Sequence, residues 1–224
     1  MVLSFFRRGE SGMEHITQRV VGMLADARHS FDLATSAVLD GVPPDQVVDE
    51  IRSTDTRINR AEQELRRELI VHVAVQGVED IGDVLGYILL IKKIERIGDQ
   101  AKNVFDLADE GVSFAGSEDV EQFRSVHQAI SEMLDEVAQL LLEPDPDRIA
   151  AFRARADDMR AEEEGRIREL MHSDAPGHYA VPRAVLHRYL KRIVANIGGV
   201  ITTVTEPIQT QDYFDGGETD ITDD

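Results

Sequence analysis

The sequence predicts an all-α protein made of two tandem three-helix bundles, six long helices in total. Three observations carry this. Helix breakers are few, 7 Pro and 16 Gly in 224 residues, which favours long helices over many short strands. Apolar residues return at steps of three and four in six separate stretches. The same three-helix plan then occurs twice, with a repeat near 100 residues.

The first helix is predicted over about residues 13–39, where Ile16, Val20, Met23, Ala27, Phe31, Ala34 and Val38 form one continuous apolar face. Residues 40–45 break it, and Pro43 and Pro44 are placed to open the next helix. The second helix, about 44–75, has the stripe Val48, Ile51, Asp55, Ile58, Glu62, Leu65, Leu69, Val73. Two carboxylates therefore lie on its inward face. Such a helix is roughly 50 Å long, a length suited to a bundle. After a turn over residues 76–80, the third helix runs to about Asp109. Its apolar line Ile81, Val84, Ile88, Ile91 changes into Glu95, Asp99 and Asn103.

A small-residue linker, 111–118, leads into the second unit. Its fourth helix carries Phe123, Val126, Ile130, Met133, Val137 and Leu140. A Pro-Asp-Pro turn at 144–146 matches the Pro43-Pro44 turn. The fifth helix carries Ile149, Phe152, Ala156, Met159, Glu163, Ile167 and Leu170. A loop over 173–181 precedes a sixth helix with Pro182 in its first turn and Val185, Tyr189, Ile193, Ile197, Val200 and Val204 on its apolar face. Aligning Pro44 with Pro146 gives an offset of 102, and aligning Glu95 with Lys191 gives 96, so the second unit is shorter somewhere before its third helix. The expected organisation is one repeat over 1–112, a second over 119–206, and an acidic tail over 207–224. From Glu206 onward there are seven acids and no Lys or Arg, a composition expected to remain disordered.

Composition excludes several classes of function. The formal charge is −19, and −12 without the tail, which opposes both nucleic-acid phosphates and anionic membrane surfaces. With no cysteine, disulfides, thiolate zinc sites and cysteine nucleophiles are ruled out. Aromatics are 5% and Trp is absent, so the core must be aliphatic. No stretch approaches the ~20 apolar residues of a membrane span. The opening residues place Arg7 and Arg8 after Phe5 and Phe6, the reverse of a secretory signal, so a cytoplasmic location is expected. Two rings and two charges are too little for stable membrane anchoring.

Chemistry concentrates on the third helix. Glu95, Asp99 and Asn103 recur at i, i+4 and i+8 and point the same way. Like charges one turn apart persist on a partly buried face only if a cation or protons compensate them. Hard oxygen donors favour Mg, Mn, Fe or Ca, and Asp55 and Glu62 are candidates to complete the shell. The plain alternative is a solvated acidic face.

The segment Glu95-Arg-Ile-Gly-Asp99-x-x-x-Asn103, preceded by an apolar run, resembles the motif of PhoU-domain proteins, as does the Asp55-x-x-Ile58 segment of the second helix. That resemblance implies a cytoplasmic regulator rather than an enzyme. It would restrain phosphate uptake and dampen the phosphate-starvation response by linking a phosphate ABC transporter to a sensor histidine kinase. It also implies a metal, such as iron, zinc, magnesium or manganese, on Glu95 and Asp99, with Asn103 beside them and Asp55 contributing. A homodimer is a further partner the sequence leaves open.

The second repeat departs from the motif. Lys191 replaces the leading carboxylate, Ala195 the second, and Gly199 the Asn. A protonated Lys cannot ligate a metal, so a metal is expected in the first repeat only. Lys191 is expected instead to pair with one of the fifth-helix acids Asp157, Asp158, Glu162, Glu163 or Glu164. The family's Asp-Leu-Arg near the start of the third helix reads Asp80-Ile-Gly82 here. Glu169 and His172 form a lone E-x-x-H without the second pair that a di-iron bundle needs. His72 reads as a satisfied core histidine, and Gly198-Gly199 as a site of close helix packing. Two other readings compete with the regulator: a carboxylate-bridged metal enzyme or store, and an accessory protein of another ion transporter.

Overall fold

The computed structural model describes residues 11–77 and 81–206. Phe5-Phe6-Arg7-Arg8, Asp80 and the acidic tail lie outside the described residues. Among those described, the elements are six α-helices: α1 Ser11–Leu39, α2 Pro44–Gln76, α3 Ile81–Asp109, α4 Val120–Leu142, α5 Pro146–Met171 and α6 Gly177–Thr205. The all-α, two-times-three architecture is as the periodicity predicts.

Apolar spacing sets the packing. Val20, Ala27, Phe31, Ala34 and Val38 of α1 are fully buried. Each large apolar side chain of this kind contributes about 1.5–3 kcal/mol relative to exposure. α1, α3, α6 and α4 form a central four-helix ring, with α2 laid across α1 and α3, and α5 against α6. The buried apolar residues of both repeats merge into one cluster. It is largely aliphatic, as the missing Trp and scarce aromatics require.

Polar contacts fix the register between repeats. Arg28 Nε of α1 donates to Ser131 Oγ of α4 at 2.8 Å, and Asp32 Oδ1 lies 2.8 Å from His127 Nε2 and 2.9 Å from Ser131 Oγ. The Phe114 N–H donates to the Val38 carbonyl at 2.8 Å, tying the linker back to the end of α1. Within the second repeat, Arg183 of α6 donates through Nε and Nη2 to Asp119 at 2.7 and 2.9 Å.

The two proline turns correspond as expected. Pro44 opens α2, and Pro146 opens α5 behind Asp145, whose side chain accepts the Arg148 N–H at 2.9 Å. Two local expectations need correction. α6 begins at Gly177, so the loop before it is shorter than 173–181 and Pro182 lies inside the helix. The proline is tolerated because it removes only one bond, to the carbonyl of His178, in the first two turns of the helix. The apolar stripe of α5 also fades early. Only Ile149, Phe152, Ala156 and Glu163 are buried there, while Ile167 and Leu170 are half-buried.

Candidate metal centre

The carboxylate motif flanks a close approach of α2 and α3 at Gly98. Gly98 makes the approach feasible, since a Cβ there would meet Ile58 Cδ1 at 2.9 Å. On one side of this contact α2 presents Glu62 opposite Glu95 of α3. On the other side it presents Asp55 opposite Asp99. Seven residues separate Asp55 from Glu62, about 10 Å along the axis, so one ion cannot serve all four. The acids form two separate pairs. Among the described residues, no three His, Asp or Glu side chains converge on one metal-sized point.

A lysine bridges each pair. Lys92 Nζ lies 2.7 Å from Glu95 Oε2 and 3.8 Å from Glu62 Oε1, and Arg66 Nη2 lies 2.8 Å from the same Glu62 oxygen. Lys102 Nζ lies 2.8 Å from Asp55 Oδ1 and 3.4 Å from Asp99 Oδ1. Burial would lower the Lys102 pKa, but Asp55 and Asp99 outweigh it and hold the ammonium above its ordinary value. Asn59 donates to Asp55 Oδ2 at 3.3 Å. Asn103 is half-buried and belongs to neither pair.

The two pairs differ in burial. Glu62 and Glu95 side chains are 10% and 12% exposed, whereas Asp99 is 44% exposed. Glu62 Oε1 and Glu95 Oε2 are shut off from solvent and, despite their cationic neighbours, accept no well-aligned hydrogen bond. Buried carboxylate oxygens are the donor type a hard cation prefers. Of the two pairs, Glu62 and Glu95 are the residues that could hold a metal ion, two carboxylates in all, with Lys92 as the group it would displace. The Asp55–Asp99 pair is more solvated and already satisfied by Lys102 and Asn59.

Lys92, Lys102 and Arg66 were legible as partners in the sequence. They stand three residues before Glu95, three after Asp99 and four after Glu62, spacings that place them within reach on a helix.

The second repeat is built differently at the corresponding place. Lys191 pairs with Glu164, as the Lys-for-Glu exchange led us to expect. That contact holds the Glu164 carboxyl below the ordinary range. Beside it, His187 Nδ1 lies 2.8 Å from Glu163 Oε2, with both side chains buried and the His187 ring 4.8 Å from that of Phe123. The E-x-x-H pair does not form a site: Glu169 accepts from Arg166, and His172 is an exposed helix cap. His72 is not a core residue but stands half-buried in the wall of a surface groove.

This two-repeat helical bundle, with acid pairs between its second and third helices, resembles known proteins in sequence over part of the first repeat and in fold over most of its length. The family model of the PhoU domain matches residues 20–108. The match lies within the repeat that holds the acid pairs. The crystal structure of PhoU from Pseudomonas aeruginosa superposes with a TM-score of 0.73 at 19% identity, over 87% of this chain and 95% of that one. The two share the six-helix fold. No curated protein matches the chain in sequence.

Proposed function

We propose that the chain is a PhoU-like helical adaptor that regulates phosphate transport and phosphate-starvation signalling in the cytoplasm and has no catalytic role of its own. The observation that supports this reading is the match to the PhoU-domain model over residues 20–108, together with the likeness in fold to PhoU from Pseudomonas aeruginosa. The fitting partners are a phosphate ABC-transporter ATPase and a sensor histidine kinase, engaged through helix faces. No helix among the described residues is long and apolar enough to cross a membrane, which suits a protein that docks on a transporter rather than forming one.

In this reading Glu62 and Glu95 hold one hard cation, which when bound supplies positive charge between the two carboxylates. Asp55 and Asp99 remain paired with Lys102. Metal couples to partner binding only if one of the two conformations binds both better. The test is a chromosomal deletion complemented with the full chain. Restored restraint of phosphate uptake and of a starvation reporter supports the adaptor. An unchanged phosphate response removes it.

A second reading is favoured by the second repeat, which lies outside the family match and lacks both motif carboxylates. It makes the client another ion transporter. Uptake of a different ion, altered by the deletion while phosphate uptake is unchanged, would select this reading.

A further inference from the structure

The end of the bundle where α2 stops and α3 starts carries a surface that the metal site does not use. Of the eight large hydrophobic side chains exposed among the described residues, five lie there: Ile70, Val71, Val75, Ile81 and Leu85. Ile70, Val71 and Val75 are 65%, 55% and 73% exposed. Between the first turns of α1 and the last turns of α2 an open groove of about 440 Å³ is walled by Ile16, Val71 and Val75 together with His72 and Glu68, the latter held by Arg19, and His15 and Arg67 are exposed along it.

Charge continues the pattern away from the groove. Arg67, Arg60 and Arg52 are exposed, spaced seven and eight residues apart, and so lie on one side of α2. None of the three forms an ion pair with a described residue. Neighbouring arginines are committed: Arg19 to Glu64 and Glu68, Arg57 to Asp26 and Glu50, Arg66 to Glu62. In a chain of charge −19, three uncommitted guanidinium groups leading into an apolar groove form a local field of opposite sign. The nearest acids on this stretch of α2, Glu64 and Glu68, are both engaged by Arg19, so the three guanidinium groups remain available to an incoming carboxylate within a Debye length of about 8–10 Å.

The geometry points to a docking site for an acidic partner helix. Its apolar stripe fills the groove between α1 and α2, and carboxylates on its flank meet Arg67, Arg60 and Arg52. A groove between two antiparallel helices takes a third helix through anchors at i, i+3, i+4 and i+7, and the row from Arg52 to Val75 runs for roughly 35 Å, ample for several turns. The surrounding negative charge disfavours an anionic membrane as the occupant. The site rests on the adaptor reading and gives the adaptor one specific face.

The test is fluorescence anisotropy of the full chain with a labelled synthetic helix carrying leucines at those four spacings, flanked by glutamates. Saturable binding is expected, weakening with salt, lowered at least about tenfold by Val71→Asp and by the Arg60→Glu/Arg67→Glu pair. A lysine-flanked version of the peptide should not bind. Circular dichroism should show unchanged helix content in these variants, since the substituted positions are exposed. Absence of binding, equal binding of both peptides, or insensitivity to the variants overturns the site. So does association with phosphatidylglycerol vesicles, or a homodimer that Val71→Asp dissociates, because each gives the face to a different occupant. The cellular phosphate readout is independent of the peptide, so failure here leaves the adaptor standing, and failure there is visible whatever the peptide does.

Discussion

Lys93 of α3 lies across the bare Cα of Gly199 in α6. A Cβ at Gly199 would sit 2.8 Å from Lys93 Cδ and 3.1 Å from its Nζ, and Lys93 is itself buried. The repeats thus touch through a glycine that replaces the motif Asn of the first repeat. Gly198 beside it is unconstrained, since a Cβ there would meet Ala156 Cβ at an ordinary 3.5 Å. Adjacent glycines should therefore respond oppositely to alanine. Gly198→Ala is expected to stabilise by up to about 1 kcal/mol through helix propensity. Gly199→Ala should lose that gain to the clash and become favourable only in a Lys93→Ala background. Urea midpoints of the four proteins decide this, and equal shifts for the two glycine variants would refute the close approach.

The helices could be read from the sequence because burial follows a 3.6-residue period, and Val20, Phe31 or Ile197 have no alternative face. Pro44 and Pro146 marked two starts for the same reason. Gly177 could not be read as a start, because Pro182 imitates a first-turn proline and nothing local shows that one missing bond is tolerable. The inward direction of Glu62 and Glu95 was also legible, whereas Asp99 is 44% exposed. The division of the acids into two pairs was not legible, since it depends on the antiparallel register of α2 against α3. His187 and Glu163 are 24 residues apart, and only tertiary packing brings them together.

That pair leads to a second prediction. Glu163 and His187 are almost fully buried, and each depends on the other for its contact. Glu163→Ala would leave the imidazole enclosed without its partner, a loss expected at about 3–5 kcal/mol. The joint change Glu163→Leu/His187→Phe replaces the polar contact with an apolar one and should recover most of that. Chemical denaturation of both variants checks it. A single variant within about 1 kcal/mol of the parent would mean that the pair is immaterial to stability.

Acid should loosen the contacts between and within the repeats. Burial pushes the Asp32 carboxyl up, but hydrogen bonds with His127 and Ser131 and the charge of Arg28 outweigh it, so its pKa lies below the ordinary value. Asp119 behaves alike, with burial overcome by Arg183 and Ser117. A folded pKa below the unfolded one gives stability that is present at neutral pH and lost as pH falls through the folded value. Asp106 has the opposite sign: burial and the nearby Asp109 raise it, so its protonation on acidification relieves strain first. Stability should therefore hold or rise slightly toward pH ~5 and fall below about pH 4. Asp32 is partly exposed, so its share is no more than about 1 kcal/mol. Urea midpoints between neutral pH and about pH 3 would show the profile, and Asp32→Asn should flatten the acid limb. A midpoint that climbs throughout that range would contradict the sign.

Lys92 competes with any ion for Glu62 and Glu95. Its Nζ already contacts both carboxylates, so a metal must displace it and meet a site whose charge is partly neutralised. Lys92→Met keeps the stem and removes the charge. Mn²⁺ titrated calorimetrically should then bind at least about tenfold tighter than in the parent. The metal-free variant should be less stable than the parent because, of the cationic contacts to these two buried carboxylates, only that of Arg66 to Glu62 would remain among the described residues. Added Mn²⁺ should restore its melting temperature. Glu62→Gln/Glu95→Gln should abolish both effects, whereas Asp55→Asn, in the pair already held by Lys102, should leave them intact. If Mn²⁺ bound the parent, the Lys92 variant and the Glu62/Glu95 variant alike, the ion would be elsewhere and the Glu62–Glu95 pair would be a lysine-bridged contact only.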